Sequence, residues 1–184
     1  MTKYYFLGAD GVRGATRVIC PGDPDDPGPA ITPPTPGQIF SAFKEVAPTE
    51  ATLSVQPPGG QTPVNFETIF STVAEPFSTG KKELTKGFTV QFDVYPTAFT
   101  RKFGDGTELS TDWSGEPWAE GKDVSELINH VYTSTKPVKA SVTVTWGADV
   151  RLNDGAPTTV DGTVNVGSPV VPLEILEAKP KLVE

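Results

Sequence analysis

The chain has one cysteine, Cys20, and one histidine, His130, among 184 residues. A lone thiol excludes an intrachain disulfide, and because extracellular β domains often carry one, a reducing site of synthesis is favoured. One His and one Cys far apart in the sequence do not compose a zinc site. A nucleophilic triad needs His130 beside a hydroxyl or thiol and a carboxylate, yet there is no nucleophile-elbow motif and Cys20 stands among prolines. Asp93 and Asp105 carry no pocket signature that would make them an acid–base pair. No catalytic, cofactor-binding or metal-ligating residue is therefore assigned, and the chain reads as non-enzymatic. Long hydrophobic runs are also missing. Nothing approaches a membrane span, and the apolar run from Tyr4 to Leu7 is too short for a signal peptide, so no membrane and no classical secretion route are expected. Basic tracts are absent and the formal charge is −8, which argues against a nucleic-acid partner.

What the chain has in quantity is proline (19) and glycine (18), the residues that punctuate strands and turns. Residues 1–34 read as an extended Gly/Pro-rich arm and linker. Gly8, Gly11 and Gly14 are spaced by three, but no strand and helix flank them as a dinucleotide site requires. The run from Cys20 to Pro34 holds too many prolines for helix or central strand. Asp23, Asp25 and Asp26 within it read as a solvated turn, the prolines breaking any calcium-loop spacing.

A second region, 35–85, opens with a helix signature. Thr35 can cap, Pro36 suits the first helical position and Gln38 completes a capping box. Ile39, Phe40, Phe43 and Val46 then share one face, and Pro48 ends the helix. That stripe packs on the rest of the domain or docks on another chain. Leu53–Gln56 and Val64–Phe70 read as strands, the second with Val64, Phe66 and Phe70 inward, and 76–82 as a loop.

The third region, 86–168, carries the strongest pattern. Phe88–Tyr95 alternates apolar and polar residues. Phe99, Arg101 and Phe103 share one strand face, and Gly104-Asp105-Gly106 supplies a tight turn. His130-Val-Tyr132 follows, then the alternating strand Val138–Trp146. Asn153-Asp154-Gly155 is a turn, and Asp161-Gly162 a bulge before Val164 and Val166. This set, in this order, resembles the PKD (polycystic kidney disease) domain, whose pattern runs W-x-F-G-D-G, then H-x-Y, then alternating valines. The resemblance implies a mainly β fold, an immunoglobulin/PKD-like antiparallel sandwich, here with one short helix and extended terminal arms. It also implies that the histidine ring hydrogen-bonds within the fold. The chain departs from the pattern at Arg101, where the family has its core Trp, and an Arg there must snorkel or find a partner, leaving that face partly open. More loosely, the start Y-x-L-G-A-D-G and the run Val55–Gly60 resemble PKD-containing proteins of actinobacteria and their phages.

Between the turn and the His130 strand lies an insertion, 110–127, with Trp113 and Trp118 in a polar, glycine-rich setting. They lid the end of the sandwich, contact a protein or stack on a sugar. The tail, 169–184, reads as an edge strand, Pro172 and Pro180 fitting that place. Tyr4, Tyr5, Phe6 and Leu7 at one end, and Leu173, Ile175, Leu176 and Leu182 at the other, are apolar in extended context, and burying each large aliphatic would recover ~1.5–3 kcal/mol. They are expected to carry contacts to other protein subunits, homo- or hetero-oligomeric, together with Phe40 and Phe43 if the helix docks outward. The leading expectation is a structural virion component, tail-associated or decorating a capsid. The other is an adhesion or carbohydrate-binding module that takes a host surface glycan on Trp113 and Trp118.

Overall fold

The computed structural model describes residues 31–177 in full, and residues 2–7 and 13–19 as backbone alone. The expectations for Gly8, Gly11, Cys20, Asp23, Asp25, Asp26 and Leu182, and for the side chains of Tyr4, Tyr5, Phe6 and Leu7, fall outside what is described. The protein is mainly β. In chain order the elements are β1 (Thr2–Leu7), β2 (Arg13–Ile19), α1 (Pro36–Val46), β3 (Thr52–Gln56), β4 (Gln61–Pro63), β5 (Glu67–Val73), β6 (Phe77–Ser78) and β7 (Lys82–Thr85). They continue with β8 (Phe88–Lys102), β9 (Glu108–Thr111), β10 (Asn129–Val131), β11 (Val138–Leu152), β12 (Thr158–Thr159), β13 (Val164–Gly167) and β14 (Val171–Leu176). No helix among the described residues is long and apolar enough to cross a membrane.

The long strands β8 and β11 pair antiparallel and form the spine of a large sheet, ordered β4-β14-β11-β8-β6, with β12 and β13 also on β11 and β7 and β9 also on β8. The spine hides a parity change. On β8 the even residues Val90, Phe92 and Val94 are buried, then the odd residues Phe99 and Arg101. On β11 the even residues stay inward throughout, from Val138 to Val150. Trp146 lies opposite Pro96 and Thr145 opposite Ala98, so Thr97 has no opposite residue. That one extra residue is a bulge, and it returns both halves of β8 to the same face. The sequence shows two strands here because its alternation breaks at Pro96-Thr97.

The inner face of the spine is covered in two parts. Helix α1 lies over one half, with Phe43 fully buried and its ring 6.2 Å from that of Phe92. Its capping box forms as written: the Gln38 N–H donates to Thr35 Oγ1 at 3.3 Å and the Thr35 N–H to Gln38 Oε1 at 2.9 Å. The helix stripe therefore packs on its own domain, which removes Phe40 and Phe43 as an outward docking face. A small antiparallel sheet, β10-β5-β3, covers the other half, its Phe70 ring 4.9 Å from Phe103. A buried Thr62–Thr68 hydroxyl contact of 2.7 Å ties β4 to β5. The result is sandwich-like.

Several expectations change at this level. The N-terminal arm is not single extended chain: β1 and β2 pair antiparallel in a sheet of their own, Thr2 opposite Ile19. The described part of the tail, up to Glu177, is not a free arm either. β14 pairs antiparallel with β11 and parallel with β4, and Leu173 and Ile175 are buried, so neither is available to a neighbour. Its Pro172 nevertheless sits in this two-sided strand, near the start, where a missing N–H costs least. Phe66 points out, because Asn65 takes a positive φ of 60° and turns the chain just before β5 begins. Within the expected loop 76–82, Phe77 and Ser78 pair with Val94 and Asp93. Asp161-Gly162 does interrupt a strand, separating β12 from β13 along β11.

Candidate functional site

The turn after β8 and the His130–Tyr132 segment belong to different sheets, and they meet. Asp105 accepts from the Thr107 N–H at 3.0 Å and the Thr107 hydroxyl at 2.6 Å, a local turn bond that Asp makes readily. Its second oxygen accepts from His130 Nε2 at 2.7 Å. Partial burial pushes the Asp105 carboxyl up, but the Thr107 and His130 interactions together outweigh it and hold it at about 2. The His130 ring stacks on Phe103, centroids 4.2 Å apart, and meets Tyr132 edge-on at 4.7 Å. The buried Tyr132 hydroxyl donates to the Phe103 carbonyl at 2.9 Å, and burial, with the Asp105 charge added, pushes that hydroxyl's pKa up. Phe103, Gly104, Asp105, Gly106, His130 and Tyr132 thus form a clasp between the sheets, while Phe99 is buried on β8 beside Arg101 instead. Among the described residues no hydroxyl or thiol hydrogen-bonds to His130, whose Nε2 is committed to Asp105.

Arg101, one face-step before Phe103, is fully buried rather than set on a partly open face. Its guanidinium lies 5.5 Å from the Phe99 ring centroid. It donates to Thr111 Oγ1 at 3.0 Å and to the Ser114 carbonyl at 2.5 Å. Desolvation lowers its pKa to about 10, so it stays charged at neutral pH.

The insertion crosses from β9 to the outer side of the small sheet. The Thr72 N–H donates to the Ser114 carbonyl at 2.9 Å, and the Trp118 N–H donates to Gln56 Oε1 at 2.6 Å. The Trp118 indole N–H donates to the Lys122 carbonyl at 3.1 Å, and Lys122 pairs with Glu116. Ile69 of β5 and Leu127 at the end of the insertion are both buried. Where it ends, Trp118, Phe66, Pro57, Pro58, Ile69 and Val124 line a groove of about 460 Å³, with Gln56 and Glu67 as its polar members. Trp118 is 43% exposed and Phe66 49%, an uncommon degree for two large aromatics on one concave surface.

The two tryptophans do not act as a pair. Trp113 lines a separate depression with Thr97, Ala98, Ser110, Thr111 and Asp112. Of the residues singled out from the sequence, only Trp118 reaches the groove. Phe66, Pro57 and Pro58 were readable only as strand and turn. The signal that could have found Phe66 is Asn65, a residue that tolerates the left-handed turn which swings Phe66 out.

The chain matches no protein-family model, no curated protein and no solved structure.

Proposed function

We propose that this is a non-enzymatic interaction protein, PKD-like and immunoglobulin-like in build, that docks another protein subunit of a larger assembly in the groove walled by Trp118 and Phe66. The observation that carries this reading is the exposure of those two aromatics on a surface whose backbone is pinned by Gln56. Aromatic anchors in preformed concavities dominate the energy of protein contacts. The groove is apolar apart from Gln56, whose carboxamide is already bonded to the Trp118 backbone through both ends, and Glu67. Such a lining suits an apolar or proline-bearing segment flanked by a Lys or Arg. The assembly we name is a virion, with the protein tail-associated or decorating the capsid. Its support is the looser sequence likeness to actinophage proteins.

A host glycan is the second reading, favoured by the Trp118 ring as a stacking platform. A sugar site also needs several convergent polar groups, and with Gln56 occupied the groove offers one carboxylate, so the protein contact ranks first. The test is incorporation. Purified particles are quantified by mass spectrometry for wild type, Trp118→Ala and Phe66→Ala, each first checked for an unchanged melting temperature. We expect a fixed copy number for wild type and at least a tenfold loss for both variants. Absence of the wild-type protein from particles, together with millimolar or tighter binding to an oligosaccharide lost in Trp118→Ala, would replace this reading with the second.

A further inference from the structure

We infer that Arg101 is a positioning residue: from inside the core, its guanidinium holds the point where the aromatic loop crosses from one sheet to the other, and so sets where Trp113 and Trp118 stand. The functional meaning of those rings rests on the docking reading above, but the positioning itself is decided without any ligand.

Several bonds tie the crossing down, and Arg101 makes the two that come from a buried side chain of the large sheet. One is its bond to Thr111 Oγ1, and that same hydroxyl donates to the Trp113 carbonyl at 2.8 Å. The other is its bond to the Ser114 carbonyl, which also accepts from Thr72 of the small sheet. Gly115 follows with φ of +72°, and a Cβ there would sit 2.8 Å from the Phe70 carbonyl, so the loop backbone is pressed onto β5 at this spot. Trp118 comes three residues later and is fixed by Gln56. A charge this deep normally has a carboxylate partner. Among the described residues Arg101 has none, and its Nε has no partner at all. Its polar contacts all go to the loop. A side chain needed only for volume would be met more cheaply by an apolar residue of similar size, since replacing a buried charge that way is often neutral or stabilising.

The test uses the full chain labelled with 5-fluorotryptophan, whose three resonances are assigned by Trp113→Phe and Trp118→Phe, and amide hydrogen exchange. In Arg101→Met we expect the Trp113 and Trp118 resonances to shift and narrow while Trp146 in the core stays put. Amides of 112–120 should exchange at least tenfold faster, with those of β8 and β11 unchanged. Methylguanidinium, added to Arg101→Ala at millimolar concentration, should restore the wild-type spectrum. Thr111→Val removes one tie from the loop side and should move Trp113 alone. Unchanged Trp113 and Trp118 signals in a folded Arg101→Met would overturn the inference. So would exchange raised uniformly across the protein, which would make Arg101 an ordinary core residue. If Arg101→Met fails to fold, Thr111→Val decides: a Trp113 resonance identical to wild type sinks the proposal.

Discussion

At the scale of single residues, the turn Gly104-Asp105-Gly106 separates two kinds of constraint that the sequence shows as one. Both glycines have positive φ, +88° and +97°. A Cβ on Gly104 would lie 2.5 Å from the Lys139 carbonyl oxygen, whereas one on Gly106 would meet nothing within 4 Å. Gly106→Ala should therefore cost only the conformational term, about 1 kcal/mol, and Gly104→Ala at least ~3 kcal/mol, because β11 backbone must also move. Equal losses in urea unfolding would show that the Lys139 contact yields easily. Asp105 between them gives a pH signature. Its folded pKa, about 2, lies below its ordinary 3.8. The stability it contributes is thus complete above about pH 4 and is lost as pH falls towards 2. Asp105→Asn should be destabilised by ~1 kcal/mol at pH 7, a figure reduced for solvent screening of a partly exposed group, and the gap to wild type should narrow between pH 4 and pH 2. A gap that is the same at pH 7 and pH 3 would mean the carboxylate charge contributes nothing.

At the scale of elements, local chemistry was legible and long-range partners were not. The helix was readable to the residue because Thr35, Pro36 and Gln38 act within one turn. The clasp was readable because each of its residues is a special type in a fixed order. The spine was not readable as one strand, since the bulge at Thr97 exists only relative to β11. Nor did the tail's alternation reveal its burial, because Leu173 and Ile175 look the same whether they face a neighbour or their own core. That Arg101 needs a partner is legible, but its partners are one hydroxyl, on Thr111, and one backbone carbonyl, of Ser114, neither of which has a sequence signature. The corrections for the helix stripe and the tail strand are testable here. Phe43 and Leu173 are both almost wholly buried, so Phe43→Ala should cost ~3–5 kcal/mol and Leu173→Ala ~2–5 kcal/mol in the isolated protein. Unchanged thermal unfolding in either variant would return that element to the surface as a docking arm.

At the scale of the whole molecule, Phe43 of the helix, Phe103 and Tyr132 of the clasp and Leu173 and Ile175 of the tail strand are spent inside, and Trp118 and Phe66 stand outside on one groove. The account's central claim is that a partner subunit covers that groove. The most direct measurement is hydrogen exchange of the protein free and in its assembled state. The amides of Gln56, of residues 66–69 and of residues 118–124 should gain protection of at least tenfold on assembly, with the clasp at 103–107 and 130–132 unchanged. Protection confined to other surfaces, such as β6, β7 or β12, with the groove exchanging as in the free protein, would contradict it.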